Sequence, residues 1–127
     1  MTPRQTLLIG STSVVVYDAI ASVASTALGF RYGLASIGSL ALYAAIGAFA
    51  ARTKSRSFSL VVGAIAGLSD ATAGWGISWL IGPGRPPSGM ITFPQWLITV
   101  AIVTVLASVI AGVAGIFSTI GRSRIQT

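Results

Sequence analysis

Apolar positions fall into four long runs separated by short polar or turn-rich segments. The runs cover about 6–29, 34–51, 58–81 and 94–120, near the length of about 20 residues that spans a bilayer as a helix. Pro94 suits the first turn of the last run, where a missing N–H costs nothing, and Thr92 is placed to cap it. The connections at 30–33 and 52–57 are short, which makes sequential helices antiparallel neighbours. The longest connection, 82–93, reads GPGRPPSGMITF and cannot continue a helix. The pattern predicts an all-α integral membrane protein of four transmembrane helices, one four-helix domain over 1–127.

Small and polar residues recur with helical spacing inside these runs. Ser11, Asp18, Ser22, Ser25 and Gly29 share one stripe of the first helix, and Gly63, Gly67, Asp70 and Gly74 one of the third. Thr104, Ser108, Gly112, Gly115 and Thr119 form another on the fourth; Ser36, Ser39 and Tyr43 give a partial stripe on the second. Small residues let helix backbones approach where lipid gives no hydrophobic drive for association. Gly63, Gly67, Gly74, Gly112 and Gly115 are therefore the expected packing positions.

Composition strengthens the membrane reading. Only 8% of residues are charged and the mean hydropathy is +0.86, against about 25% charged in soluble domains. With no His and no Cys, histidine-bound haem, structural zinc, iron–sulfur clusters and the Ser-His-Asp or Cys nucleophiles lack their essential residues. No metal, cofactor or enzymatic activity is expected. Residues 1–27 have some features of a signal peptide, but Tyr17 and Asp18 interrupt the apolar run, which reads as a retained helix.

The net charge of +6 reads as topology rather than nucleic-acid binding, because no long basic face or aromatic platform accompanies it. Arg4, Arg52, Lys54, Arg56, Arg122 and Arg124 fall on one side, Arg31 and Arg85 on the other. This asymmetry predicts a membrane protein with both termini cytoplasmic. Tyr32, Trp79 and Trp96, with Phe30 and Phe93, fit the opposite interface as anchors. Trp75, inside the third span, can line a cavity or face lipid or a partner.

The only two acids, Asp18 and Asp70, lie inside spans. A charge at a helix centre costs about 2.5–3.5 kcal/mol on insertion scales, so such residues turn inward and find partners. No Lys or Arg lies in mid-span to pair with them; Asp18 and Asp70 with Tyr17, Ser22, Ser69 and Thr72 are the candidates for a proton or cation site or for an interhelical polar contact. Each acid sits twelve residues into its run, roughly 18 Å from the start of the helix at 1.5 Å per residue. DAIA at 18–21 and DATA at 70–73, with Leu28 and Leu80 at a common offset, are consistent with a parallel two-helix repeat.

Two functions fit. The first is a non-enzymatic structural or accessory subunit, packing through small-residue faces against copies of itself or other membrane subunits within the lipid bilayer. The alternative is a small proton- or cation-linked transporter or channel using Asp18 and Asp70. Small multidrug transporters and fluoride channels share the size and helix count alone: the chain has no Glu for the former's first-helix site and no Asn for the latter's motifs. It is assigned to neither. The orientation is testable: reporter fusions after Thr127 and within 82–93 should report opposite sides of the membrane, the former cytoplasmic. An external C-terminus would reverse the map.

Overall fold

The structure, a computed structural model, describes residues 1–87 and 90–123. Arg124, one of the orienting charges, and Ser88 and Gly89 of the long connection lie outside the described residues. The described elements are all helical: α1 (Pro3–Leu28), a 3₁₀ turn (Tyr32–Leu34), α2 (Ala35–Thr53), α3 (Arg56–Ser69), a π-helical turn (Asp70–Gly74), α4 (Trp75–Ile81) and α5 (Phe93–Ser123). α3, the π turn and α4 follow one another without a break, so four helical rods are long and apolar enough to cross a membrane.

Local chemistry fixes the ends. Thr2 and Gln5 form a reciprocal capping box, with Thr2 N–H to Gln5 Oε1 at 2.8 Å and Gln5 N–H to Thr2 Oγ1 at 3.2 Å. With Pro3 in the first turn, this starts α1 before the apolar run itself begins. The helix stops at Gly29, whose φ of 72° is left-handed and whose N–H bonds Ser25 O at 2.9 Å. Thr92 caps α5 as the sequence suggests, paired with Gln95 in a second box at 3.0 and 3.4 Å. Ser55 accepts from Phe58 N–H at 3.1 Å and starts α3 two residues ahead of the apolar run.

The core is made of small side chains. Ala50, Ala66, Ala107 and Ala111 are fully buried, with Val14, Tyr43, Phe58 and Val62 as the larger members. α5 packs along both α2 and α3. A Cβ on Gly63 would lie 2.7 Å from Ala107 O, and one on Gly67 would lie 2.6 Å from Ala107 Cβ. Gly112 opposes Leu60, and Gly115 opposes Ser59 and Ala51. Gly47, which no sequence stripe marked, faces the backbone of Ala111. On α1 the buried face is Thr6, Gly10, Val14, Asp18, Ala21, Ser22 and Ser25; Ser11 is half-buried and Gly29 exposed. Outward-facing positions such as Ile20, Ile102 and Val105 are apolar and about 60% exposed, as a lipid-contacting surface requires. The DAIA and DATA segments differ in backbone: the first is α-helical, the second is in the π turn. Any repeat therefore stops short of the conformation at the acids.

Glycine substitutions test the close approach. Gly47→Ala drives a methyl into the Ala111 backbone, which cannot move aside, and should destabilise by about 1–3 kcal/mol. Gly76→Ala meets nothing within 4 Å and should be neutral or stabilising, since Ala is the better helix former. Unfolding in mixed detergent checks the pair. Equal stabilities would contradict the helix contact.

Candidate functional site at the paired acids

Asp18 and Asp70 start on different rods and end at one point. Both are buried, with 6% and 8% of their surfaces exposed. Gly74 marks where they meet: a Cβ there would collide with Asp18 Oδ2 and lie 3.1 Å from Asp70 Oδ1. Only a residue without a side chain leaves room for both carboxyls at that spot. The Asp18 carboxyl reaches that of Asp70 and the hydroxyl of Tyr32. Tyr43, almost fully buried on α2, donates its hydroxyl to Asp70 Oδ2. Two carboxylates in contact repel, so the pair is stable with a proton, or another cation, between its members.

The π turn places Asp70 and Gly74. Thr72 donates its hydroxyl to Leu68 O at 2.6 Å, and Ser69 to Ile65 O at 2.9 Å. Such bonds to the preceding turn compete with the helical ladder and bend it. Trp75 N–H returns to the carbonyls of Asp70 and Thr72, closing the wide turn. π turns of this kind concentrate at functional sites. Their local role explains why Ser69 and Thr72 are not among the groups that meet the acids.

Tyr17 also turns elsewhere. Its hydroxyl donates to Ala35 O at 2.7 Å and its ring lies against Gly38, tying α1 to α2. Ser22 and Ser78, both fully buried, stand one turn beyond Asp18 and Gly74 on facing helices and flank the Tyr32 hydroxyl. Tyr32 is half-buried and directed into the bundle. Trp79 packs edge-on to Trp75 at 6.2 Å, while Trp96 stacks on Phe93 at 5.8 Å.

The acids form the floor of a cavity of about 310 Å³. Its walls come from Tyr32, the α2 residues Ala35, Ser36, Ser39, Leu40 and Tyr43, from Ala71 and Trp75, and from Thr99, Val103 and Leu106 of α5. Ser36 and Ser39 stand seven and four residues before Tyr43, so they form a polar line from the start of α2 to the acids. Beneath the floor, Val14, Tyr43, Ala66 and Ala107 pack together and close the bundle. Tyr32, Ala35, Ser36, Trp75 and Thr99 of the lining thus lie toward the end that carries the α1–α2 and α4–α5 connections, with the packed cluster on the other side of the acids. Tyr43 was legible only as part of the partial Ser36–Ser39–Tyr43 stripe, and Ser78 carried no signal at all. Compared with known protein families, curated proteins and solved structures, the chain has no match.

The Tyr43 bond is directly testable. Tyr43→Phe deprives a buried carboxyl of its donor and should cost about 1–2 kcal/mol. Thr72→Val removes only a bond to its own helix and should stay within about 0.5 kcal/mol. Equal losses in detergent unfolding would show that the Tyr43 hydroxyl has no special share in holding Asp70.

Proposed function

We propose that this small four-helix membrane protein is a proton- or cation-linked transporter whose exchange site is the Asp18–Asp70 pair. The observation that carries this reading is the convergence of the chain's only two acids at the floor of a cavity. An acid used only to join helices needs no cavity beside it. Here the Asp70 carboxyl is held by the Tyr43 hydroxyl, and Ser36 and Ser39 line the cavity beside the pair. A proton shared by the pair lowers its charge from −2 to −1 and relieves the repulsion, and a monovalent cation that takes the proton's place leaves the charge unchanged, so one site serves two ions in turn. A packed cluster on one side of the acids and a cavity on the other fit one half of an alternating-access cycle. The access side is extracellular or periplasmic if the positive-inside asymmetry sets the orientation.

The small-residue faces that favour an accessory packing subunit have partners within the chain. Gly63 and Gly67 lie against α5, and Gly112 and Gly115 lie against α3 and α2. They supply the bundle's own interfaces.

Purified protein in liposomes tests the proposal. Wild type should carry proton flux driven by an opposed cation gradient. Asp18→Asn and Asp70→Asn should each abolish it while unfolding at temperatures near wild type, because an amide keeps the shape but cannot titrate. Wild-type flux that survives both substitutions, or no wild-type flux with any monovalent cation, would overturn the assignment.

A further inference from the structure

We infer that the cavity accepts an organic cation with an aromatic or apolar body, and that this cation reaches the acids sideways from the bilayer, between α2 and α5. The inference rests on the transport reading and names the substrate class of the same site.

Charge sets the sign of the ligand. The ionisable groups that face the floor are the two carboxyls, Tyr43 from α2 and Tyr32 from the connection before it. Tyr17 of α1 is turned to Ala35 O. The described basic residues stand at helix ends or in connections. A negative floor without a built-in counter-charge selects a cation.

The walls set its chemistry. Hard inorganic cations such as Ca²⁺ or Mg²⁺ require about six or more oxygen ligands in a closed shell. Beyond the acid floor this cavity offers Leu40, Val103, Leu106 and Ala71, together with the ring of Trp75. The Trp75 indole N–H is taken by Gly84 O at 3.0 Å, and its edge contact with Trp79 fixes the ring. What Trp75 can offer a ligand is therefore its π system, which attracts cations and is most effective when water is excluded. The volume of about 310 Å³ stands at the lower end of the roughly 300–1,000 Å³ that small organic ligands occupy. One carboxylate, aromatic rings and apolar contact satisfy an organic ammonium ion completely, whereas they would leave a small metal ion short of ligands.

The rim sets the route. Leu40 on α2 and Leu106 on α5 line the cavity and are also 39% and 46% exposed on the apolar outer surface of the bundle. These two leucines lie on the helices that flank the proposed route, and both combine a cavity-lining position with partial exposure. An amphiphilic cation partitioned in the membrane can pass there without first regaining full hydration.

Titration calorimetry on the full chain in detergent, with trimethylphenylammonium and its neutral isostere tert-butylbenzene, tests this. The cation should bind at least tenfold more tightly than the isostere after correction for micelle partitioning. The Asp18→Asn/Asp70→Asn double variant should lose at least tenfold in cation affinity. Trp75→Leu should lose several-fold and Trp75→Phe less, with melting temperatures confirming that each variant is folded. Equal affinity for cation and isostere, or undiminished cation binding by the double variant, would overturn the inference. Acid-dependent flux of inorganic cations with no trimethylphenylammonium binding would overturn the substrate class and leave the transport reading standing. Acid-dependent binding of the organic cation without flux of any kind would support the site and overturn transport.

Discussion

A carboxyl group in the middle of an apolar helix is expensive, and this chain contains two. The structure meets that cost by bringing them together. Among the described residues neither acid finds a basic side chain; each finds the other, with the Tyr43 hydroxyl on Asp70 and the Tyr32 hydroxyl beside Asp18. Much of the upper half of the bundle follows from that meeting. Gly74 has to be bare for both carboxyls to fit. The third rod departs from α-helical geometry at the residues that carry Asp70 and Gly74. α2 must present Tyr43 inward, and Tyr17 holds α2 against α1 through Ala35.

The lower half follows a different rule. Around Ala50, Ala66, Ala107 and Ala111 the helices approach as closely as backbones permit, because lipid supplies no hydrophobic drive and van der Waals contact must do so. Gly47 against Ala111 and Gly63 against Ala107 and Ala111 are examples of this close packing. The tight lower half and the cavity above it divide the molecule along its length. The cavity exists where the larger residues Tyr32, Tyr43 and Trp75 and the two acids hold α2, the third rod and α5 apart.

The spans were legible because a bilayer imposes a length and an apolar composition that few other settings require. Caps such as Thr92 with Gln95 were legible because orphan N–H groups need local acceptors. Gly63, Gly67, Gly74, Gly112 and Gly115 could be placed on helix faces by spacing alone. Inward-facing acids could be argued from insertion cost, but their meeting could not, since it depends on how α1 and the third rod rotate against each other. The π turn left only indirect marks, the back-bonding residues Ser69 and Thr72 and the glycine at 74, and these first read as partners for Asp70. Tyr43 was masked because the second run is apolar almost all round, so one inward hydroxyl among alanines barely stood out. Tyr32 looked like an interface anchor, yet its hydroxyl reaches inward to Asp18.

The contact between Asp18 and Asp70 can be measured in native membranes, because the chain has no cysteine of its own. Asp18→Cys combined with Asp70→Cys should be joined efficiently by a short bifunctional thiol reagent. Asp18→Cys combined with Ser69→Cys, one position earlier and bonded back to its own helix, should not. Cross-linking confined to the 18–70 pair is the predicted result. Efficient joining of 18 to 69, with none of 18 to 70, would contradict the register that brings the two acids together.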